Sequence, residues 1–163
     1  GIGRTIAKEL AILGATVVIS SRNVAKCETA AQEMNQEIKA YGNNSKGKVV
    51  AGPSCSIRKE DDVENLIAHI IETYGGIHML VNNAGGQFVC SAEDMSAGGF
   101  AAVVDTNLKG TFLCCREAYT QYMSEHGGQI VNITLGNHPI FIGNQLVITR
   151  LIGAHIIIGL GLF

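Results

Sequence analysis

The sequence opens on Gly1-Ile2-Gly3, two glycines one residue apart that lead directly into a helical pattern. A turn of this type at the start of a helix lets the backbone approach a pyrophosphate, whose charge the free N–H groups and the helix dipole stabilise. A plain helix-entry turn is the alternative, and so short a motif alone favours that alternative. The position of the turn, one helix ahead of the first predicted strand, favours a dinucleotide site.

Ser20-Ser21-Arg22 follow the first predicted strand, where NAD-binding folds carry an Asp or Glu that binds the adenosine ribose. No acid is present at this place. A hydroxyl group followed by a guanidinium suits a 2′-phosphate, which Arg binds through two hydrogen bonds and which a carboxylate would repel. We therefore expect Ser21 and Arg22 to select NADPH or NADP. A solvated residue at a helix start is the alternative for Arg22.

The elements that position these residues alternate between helix and strand. Apolar spacing and short β-branched runs predict helices from Arg4 to Leu13, Asn23 to Tyr41, Lys59 to Tyr74 and Gly99 to Glu125, and strands at 16–19, 48–52, 77–81 and 129–133. Strands without polar alternation are buried on both faces, as a parallel sheet requires. The sequence therefore predicts an α/β fold with a doubly wound parallel sheet, Rossmann-like and three-layered.

Three further motifs follow in order along the chain. The run 82–85 (Asn-Asn-Ala-Gly) ends the third strand, Asn107 lies within the fourth helix, and the strand at 130–133 comes next. Together these motifs resemble the short-chain dehydrogenase/reductase family, and the similarity covers residues 1–137. The residues around them resemble, more narrowly, the branch of that family that reduces trans-2-enoyl-CoA thioesters in peroxisomes.

The resemblance implies a role for each candidate residue. Gly1, Ile2 and Gly3 correspond to the cofactor turn, Ser21 and Arg22 to the NADP-selecting site, and Asn83, Ala84 and Gly85 to the segment beside the riboses of the cofactor. Asn107 corresponds to the Asn of the catalytic tetrad, which positions a water molecule in the proton relay. From the residues alone, an Asn inside a helix would bend the helix or bond a neighbouring carbonyl group.

The implied activity is NADPH-dependent reduction of the 2,3 double bond of a trans-2-enoyl-CoA thioester, in peroxisomal fatty-acid metabolism. A 2,4-dienoyl-CoA or 3-oxoacyl thioester is the alternative substrate within the same class.

The helix from Gly99 to Glu125 corresponds to half of the family's subunit-packing surface, which implies a homo-oligomer. A hypothesis from another class takes the chain as a catalytically inactive, nucleotide-binding or subunit-interacting remnant. Leu162-Phe163 does not match an SKL-type address, so the peroxisomal location rests on the resemblance.

Some positions depart from the pattern of the family. The catalytic Tyr and Lys of a YxxxK motif should follow the strand that ends at Ile133, but every tyrosine precedes it and no lysine follows Lys109. Thr134 is a further catalytic candidate, although Leu135 stands where the catalytic Ser commonly lies. Ser56 replaces the Asp or Asn that commonly holds the adenine.

These departures lead us to expect an incomplete copy of the family's domain, truncated at both ends. Residues 1–137 would form a partial dinucleotide-binding reductase domain. The central strand of the doubly wound order would be missing, so the strands beside it would expose unpaired backbone groups. We therefore expect that the chain alone is not a stable monomer.

Residues 138–163 form a divergent apolar tail in this prediction. The runs 145–149 and 156–158 favour strand locally, because β-branched and aliphatic residues dominate them. The uncharged stretch after Arg150 is 13 residues long, short of the ~20 that a membrane-spanning helix needs. No membrane span is predicted.

The overall composition argues against other classes of function. In 163 residues, 12 Lys and Arg against 14 Asp and Glu give a net charge of −2, so no large positive field is available for nucleic acid. The five histidines are scattered and the five cysteines lack CxxC spacing, so no metal site is predicted. The odd number of cysteines favours a reducing compartment.

Overall fold

The structure, a computed structural model, describes residues 1–41 and 46–133, together with the backbone of residues 140–142 and 145–147. In chain order its elements are α1 (Ile2–Ile12), β1 (Thr16–Ile19), α2 (Val24–Ala40), β2 (Lys48–Ala51), α3 (Glu60–Tyr74), β3 (Met79–Asn82), a long helix over residues 97–126, β4 (Gln129–Asn132), β5 (Ile140–Ile142) and β6 (Gln145–Val147). Each helix and strand predicted up to residue 133 is present, and its ends move by no more than two residues.

The first four strands pair as two separate parallel ribbons. Thr16 of β1 lies opposite Lys48 of β2, and Met79 of β3 lies opposite Gln129 of β4. Within the described part of the chain, no strand joins β1 to β3. The predicted α/β fold class is confirmed, and the sheet is divided where the sequence predicted that strands would lack a central neighbour.

The helix starts differ in how they are capped. Asn23 Oδ1 accepts a hydrogen bond from the Lys26 N–H at 3.0 Å, which begins α2. α3 carries three acidic residues in its first turn, where the helix dipole favours negative charge, and it ends at Gly75 with φ of 83°. The N-cap of α1 is Gly1, which provides no side-chain cap. The start of α1 is therefore left open.

Two apolar clusters hold the layers together. One lies between α1, α2, β1 and β2 and contains Ile19 and Met34. The other lies between α3, β3 and the long helix and contains Leu66 and Leu80. Val18 packs against this second cluster, whereas its neighbour Ile19 belongs to the first, so β1 has apolar contacts on both faces. This explains why β1 shows no polar alternation.

The long helix is not a uniform α-helix. Its α-helical parts are α4 (Ala97–Val104), α5 (Thr111–Ala118) and α6 (Ser124–His126). Between them the chain adopts π-helix at Asp105–Gly110 and at Tyr119–Met123. The prediction of one continuous α-helix is therefore wrong on this point, because apolar spacing alone does not reveal a local change to i→i+5 hydrogen bonding. Ser96 Oγ caps the start by accepting the Gly99 N–H at 3.0 Å.

Beyond β4, two short strands are described. β5 and β6 pair antiparallel, with Ile140 opposite Val147. β6 lies in the run 145–149 where strand was favoured, whereas β5 was not predicted. The run 156–158 and Thr134 lie outside the described residues. None of the helices in the described ranges combines the length and the apolar character needed to cross a membrane.

Candidate functional site

The candidate residues converge on one edge of the sheet. In a parallel α/β unit the helices run antiparallel to the strands, so helix starts lie at the carboxyl ends of the strands. This carboxyl edge of the sheet therefore carries the start of α1, residues 20–22 after β1 and residues 83–86 after β3. Ligands of open α/β sheets bind in the crevice outside this edge.

The first turn of α1 presents backbone N–H groups to this edge. The Gly1 carbonyl accepts the N–H groups of Arg4 at 3.1 Å and Thr5 at 3.3 Å, whereas the N–H groups of Ile2 and Gly3 precede any intrahelical acceptor. A Cβ placed on Gly1 would meet no atom within 4 Å. The turn thus offers backbone donors and the positive end of the helix dipole, which together suit a phosphate group.

Two cations of α1 are not available to such a ligand. Arg4 pairs with Glu33 at 3.1 Å and with Glu37 at 2.8 Å, and Lys8 pairs with Glu37 at 3.0 Å. Hydrogen bonds from Arg4 and Lys8 hold the pKa of Glu37 below its usual value. These ion pairs join α1 to α2, and they direct both cations to α2.

The segment after β1 is held against the segment after β2. Ser20 Oγ donates to the Pro53 carbonyl at 2.5 Å, and the Cys55 N–H donates to the Ser21 carbonyl at 3.1 Å. Ser54 Oγ donates to the Arg22 carbonyl at 3.3 Å. Three hydrogen bonds to the segment after β2 therefore fix the backbone at residues 20–22.

Ser21 and Arg22 differ in what their side chains do. Ser21 Oγ accepts the Asn23 N–H at 3.1 Å and lies 3.2 Å from Cys27 Sγ, so its hydroxyl already has partners within the chain. The Arg22 side chain is exposed and forms no ion pair with any described residue. The phosphate-binding role of both residues stays a prediction, which Arg22 fits better than Ser21 does.

Asn107 holds the loop after β3 by two hydrogen bonds. Its Nδ2 donates to the Gly86 carbonyl at 2.8 Å, and its Oδ1 accepts the Gly86 N–H at 2.9 Å. A Cβ on Gly85 would lie 3.1 Å from Asn107 Oδ1, so a larger residue there would crowd the Asn107 side chain. Asn107 lies in the first π-helical segment, and the carbonyl group that it bonds belongs to a loop 21 residues away in the sequence. Its role in a proton relay stays a prediction.

This arrangement brings together some of the predicted residues. Asn107 meets Gly85 and the residue after it, and Asn83 and Ala84 are half-buried in the same loop. Sequence reasoning did not single out Gly86, although the pair of adjacent glycines was a signal of close backbone approach.

Asn82 is a further polar residue that sequence reasoning did not assign. It is buried at the end of β3, and its Nδ2 donates to Cys115 Sγ at 3.4 Å. Burial raises the pKa of Cys115, and the hydrogen bond from Asn82 offsets part of this effect. Burial also raises the pKa of Cys114, and it raises that of Cys55 to about 12. These three thiols are therefore protonated at neutral pH and are poor nucleophiles.

Ser56 lies in the segment after β2, at the same edge. Its N–H donates to Asp62 Oδ2 at 2.9 Å, so the first turn of α3 fixes this segment. Nearby, Arg58 pairs with Asp105 at 3.4 Å, which links the segment to the first π-helical segment. Among the residues with described side chains, no cluster of three His, Cys, Asp or Glu could hold a metal ion.

Comparisons with known proteins agree on one family. A sequence profile described as short chain dehydrogenase matches residues 1–138. A peroxisomal 2,4-dienoyl-CoA reductase from Danio rerio is 32% identical over 138 residues, which are 83% of this chain and 43% of that protein. The 3-oxoacyl-[acyl-carrier-protein] reductase FabG from Staphylococcus epidermidis is 34% identical over 134 residues, covering 82% of this chain and 52% of that protein.

Solved structures agree with these sequence matches. The citronellol catabolism dehydrogenase AtuB from Pseudomonas aeruginosa is 39% identical, with a TM-score of 0.67 over 85% of this chain and 54% of that one. An alcohol dehydrogenase from Thermococcus sibiricus, complexed with 5-hydroxy-NADP, is 26% identical, with a TM-score of 0.67 over 78% of this chain and 51% of that one. The chain spans about half the length of the proteins it matches. With its parallel ribbons, its open glycine turn and a family profile that covers most of its length, the chain belongs to the short-chain dehydrogenase family.

Proposed function

We propose that this chain supplies the dinucleotide-binding part of an NADPH-dependent reductase. The observation that carries the proposal is Arg22, an exposed guanidinium without an ionic partner among the described residues, at the end of β1 where no acid stands. A guanidinium at this place suits a 2′-phosphate, whereas an NAD-binding site carries a carboxylate there. The description of the Thermococcus sibiricus relative as a complex with 5-hydroxy-NADP supports the choice of cofactor.

Different residues at the carboxyl edge would bind different parts of the cofactor. The N–H groups of Ile2 and Gly3 would hold the pyrophosphate, and Arg22 would hold the 2′-phosphate. The loop after β3, fixed by Asn107, would border the riboses. Bound NADPH would supply the hydride for the reduction.

The substrate that we propose is a trans-2-enoyl-CoA thioester, reduced at its 2,3 double bond. Support comes from the motifs at residues 82–85 and around Asn107, and from relatives whose names state reduction of CoA or carrier-protein thioesters. Those names specify 2,4-dienoyl-CoA and 3-oxoacyl substrates, so both remain alternatives. The peroxisomal name of the Danio rerio relative supports a peroxisomal location for the whole protein.

The cofactor proposal is tested by calorimetric titration of NADPH and NADH into the wild-type chain and into Arg22→Ala. Charge-assisted hydrogen bonds contribute about 1.5–3 kcal/mol, so the variant should bind NADPH about 10- to 100-fold more weakly and NADH almost unchanged. Lys39→Ala, which removes an exposed positive charge from the last turn of α2, is the matched control. Equal losses for both dinucleotides would remove Arg22 from the phosphate role.

The substrate proposal needs a separate titration. With NADP present, trans-2-enoyl-CoA, 2,4-dienoyl-CoA and 3-oxoacyl-CoA are titrated in turn, and the first should bind most tightly. Tighter binding of either alternative would replace the proposed substrate. Dinucleotide binding without binding of any thioester would favour the hypothesis of a nucleotide-binding remnant.

A homo-oligomer is the partner that we propose, through the long helix. Support comes from three large apolar side chains that are 42% to 59% exposed on this helix, Leu108, Phe112 and Tyr119. Such side chains in a row on one element favour burial against another subunit. Sedimentation velocity of the wild-type chain and of Tyr119→Glu tests this. The variant should sediment as a smaller species, and unchanged sedimentation would contradict the proposal.

A further inference from the structure

The first π-helical segment is contacted at both of its ends by residues 56–58, which follow β2 and which we call the anchor segment. Arg58 pairs at 3.4 Å with Asp105, the first residue of the π-helical segment. Ile57 lies against Gly110, its last residue. The anchor segment thus contacts the long helix where the π-helical geometry begins and where it ends.

Gly110 lets the long helix approach the anchor segment closely. A Cβ on Gly110 would lie 2.8 Å from Ile57 Cγ1 and 2.9 Å from the Ile57 carbonyl oxygen. Cβ atoms essentially never come so near to other atoms, and the carbonyl oxygen belongs to the backbone, which cannot rotate away as a side chain can. A larger residue at position 110 would therefore push the helix and the anchor segment apart.

The anchor segment is itself held by contacts on its other side. The Ser56 N–H donates to Asp62 Oδ2 at 2.9 Å, and the Lys59 N–H donates to the Ser56 carbonyl at 2.9 Å. Ile57 also packs against the apolar cluster between α3, β3 and the long helix. These contacts tie the anchor segment to the start of α3, so it offers a fixed support for the long helix.

Asn107 lies between the two contacted ends, and its two hydrogen bonds to Gly86 depend on the direction of its side chain. In a π-helix the backbone hydrogen bonds run from i to i+5, so each turn holds more residues than in an α-helix. A change of this segment to α-helix would therefore rotate Asn107 relative to Gly86 and break both hydrogen bonds.

From these contacts we propose that Ile57 and Arg58 are positioning residues, which hold the first π-helical segment so that Asn107 binds the backbone of Gly86. The loop after β3 is thereby supported from the segment after β2. The inference rests on the proposed function for the role of this loop, which would border the riboses of the cofactor. The contact between Asn107 and Gly86 needs no nucleotide, so the positioning role is measured without one.

The test is amide hydrogen exchange of the full chain and of Gly110→Ala, without added nucleotide. Exchange at Gly86 should be about tenfold faster in the variant, because the added Cβ displaces the segment that carries Asn107. Gly98→Ala is the matched control. It adds the same methyl group to the same helix, where a Cβ would meet no atom of the described residues within 4 Å, and it should leave exchange at Gly86 unchanged.

The Val49 amide is an internal reference for general loss of stability. Its N–H donates to Asn35 Oδ1 at 2.9 Å, so a side-chain amide holds it just as Asn107 holds Gly86, but in the β1–β2 ribbon. Gly110→Ala should change exchange at Val49 much less than exchange at Gly86. Equal acceleration at both amides would overturn the proposal, because destabilisation of the whole chain would then explain it.

A milder variant tests the other end of the segment. Asp105→Asn keeps the size of the side chain and removes the charge that faces Arg58, so exchange at Gly86 should accelerate about two- to fivefold. Reversal of the pair, Arg58→Asp with Asp105→Arg, should restore the wild-type rate. If Gly110→Ala does not fold, these variants decide alone. Exchange at Gly86 that Asp105→Asn leaves unchanged would then overturn the proposal, as unchanged exchange in Gly110→Ala would if that variant folds.

A calorimetric titration separates this inference from the proposed function. NADP and adenosine 2′,5′-bisphosphate, which lacks the nicotinamide ribose, are titrated into the wild-type chain and into Gly110→Ala. NADP should bind the variant about three- to tenfold more weakly, and the bisphosphate should bind both chains equally. Equal losses for both ligands would overturn the role of the anchor segment in supporting the loop. A wild-type chain that binds neither ligand would overturn the proposed function, and the exchange rates at Gly86 would still decide the positioning role.

Discussion

The two loops at the carboxyl edge are built in opposite ways. After β1, the backbone of Arg22 is tied down while its guanidinium is left exposed and without an ion pair in the described part of the chain. After β3, the side chain of Asn107 holds the Gly86 backbone through two hydrogen bonds. The first loop leaves its polar side chain exposed, whereas the second loop is held by the side chain of Asn107, which belongs to the long helix.

This difference separates binding from positioning. A side chain that already has partners must lose them before it binds a ligand, whereas an exposed guanidinium on a fixed backbone loses only water and rotamer freedom. We therefore expect substitutions after β1 to change which dinucleotide binds. Substitutions around Asn107 should change how firmly the loop is held.

The largest effect is expected from Arg22→Asp. A carboxylate at the end of β1 repels a 2′-phosphate and can accept hydrogen bonds from ribose hydroxyl groups, so NADPH affinity should fall about 100-fold or more and NADH affinity should rise. Titration of each dinucleotide by its own fluorescence measures this. Lys39→Asp, which changes charge equally on α2 but away from this edge, should alter neither affinity. If the Arg22→Asp variant still prefers NADPH, the residue at the end of β1 does not select the dinucleotide.

A smaller effect is expected from Asn107→Ala. The variant loses both hydrogen bonds to Gly86, each worth about 0.5–1.5 kcal/mol, so the free energy of unfolding should fall by about 1–2 kcal/mol. Amide hydrogen exchange at Gly86 should accelerate, and the preference for NADPH over NADH should remain. Asn107→Asp keeps the acceptor for the Gly86 N–H, so its free energy of unfolding should fall by only about half as much as that of Asn107→Ala. Unchanged exchange at Gly86 would contradict the positioning role.

The variants Gly85→Ala and Gly86→Ala test whether the contact between Gly85 and Asn107 contributes to stability. A Cβ on Gly85 lies 3.1 Å from Asn107 Oδ1, whereas a Cβ on Gly86 has no atom within 4 Å. We expect Gly86→Ala to change the unfolding free energy by less than about 0.5 kcal/mol, and Gly85→Ala to destabilise the chain more. Urea denaturation of the two variants measures the difference. Equal effects would mean that the contact between Gly85 and Asn107 does not matter.

The smallest effect is expected from the ion pairs between α1 and α2. The pKa of Glu37 is lowered by its bonds to Arg4 and Lys8, so its contribution to stability is present above the ordinary carboxyl pKa and is lost as pH falls through the lowered value. Glu37→Gln should lower the thermal midpoint slightly at neutral pH and not at all below both pKa values. Since these pairs are partly exposed, added salt should reduce the difference. A midpoint difference that is constant with pH would exclude the ionic explanation.

Much of the fold could be predicted because its signals are local. The strand Thr16–Ile19 was predicted with its observed bounds, since a β-branched run that ends in turn residues has few other solutions. The start of α2 at Asn23 follows from a capping side chain. The π-helical segments were not predictable, because they depend on how the long helix packs and not on its apolar spacing.

The sequence is enough to choose candidate site residues, whose ligand-binding roles stay predictions, but it does not predict the contacts that these residues make. Arg22 could be chosen from the sequence, because charge and position after a strand suffice. The partner of Asn107 could not, since Gly86 lies 21 residues away and only the fold brings the two together. The hydrogen bond from the Asn23 N–H to the Ser21 hydroxyl could not be predicted from the sequence either, because Ser at such a place forms local turns as readily as it binds ligands.

Phosphorus NMR of NADP titrated with this chain observes the 2′-phosphate and the pyrophosphate as separate signals. With the wild-type chain both signals should shift in a saturable manner, because we propose that Arg22 binds the 2′-phosphate and that the first turn of α1 binds the pyrophosphate. With Arg22→Ala the pyrophosphate signal should still shift, whereas the 2′-phosphate signal should keep its free position. A 2′-phosphate signal that the wild-type chain leaves unmoved at saturation would show that Arg22 does not hold this group.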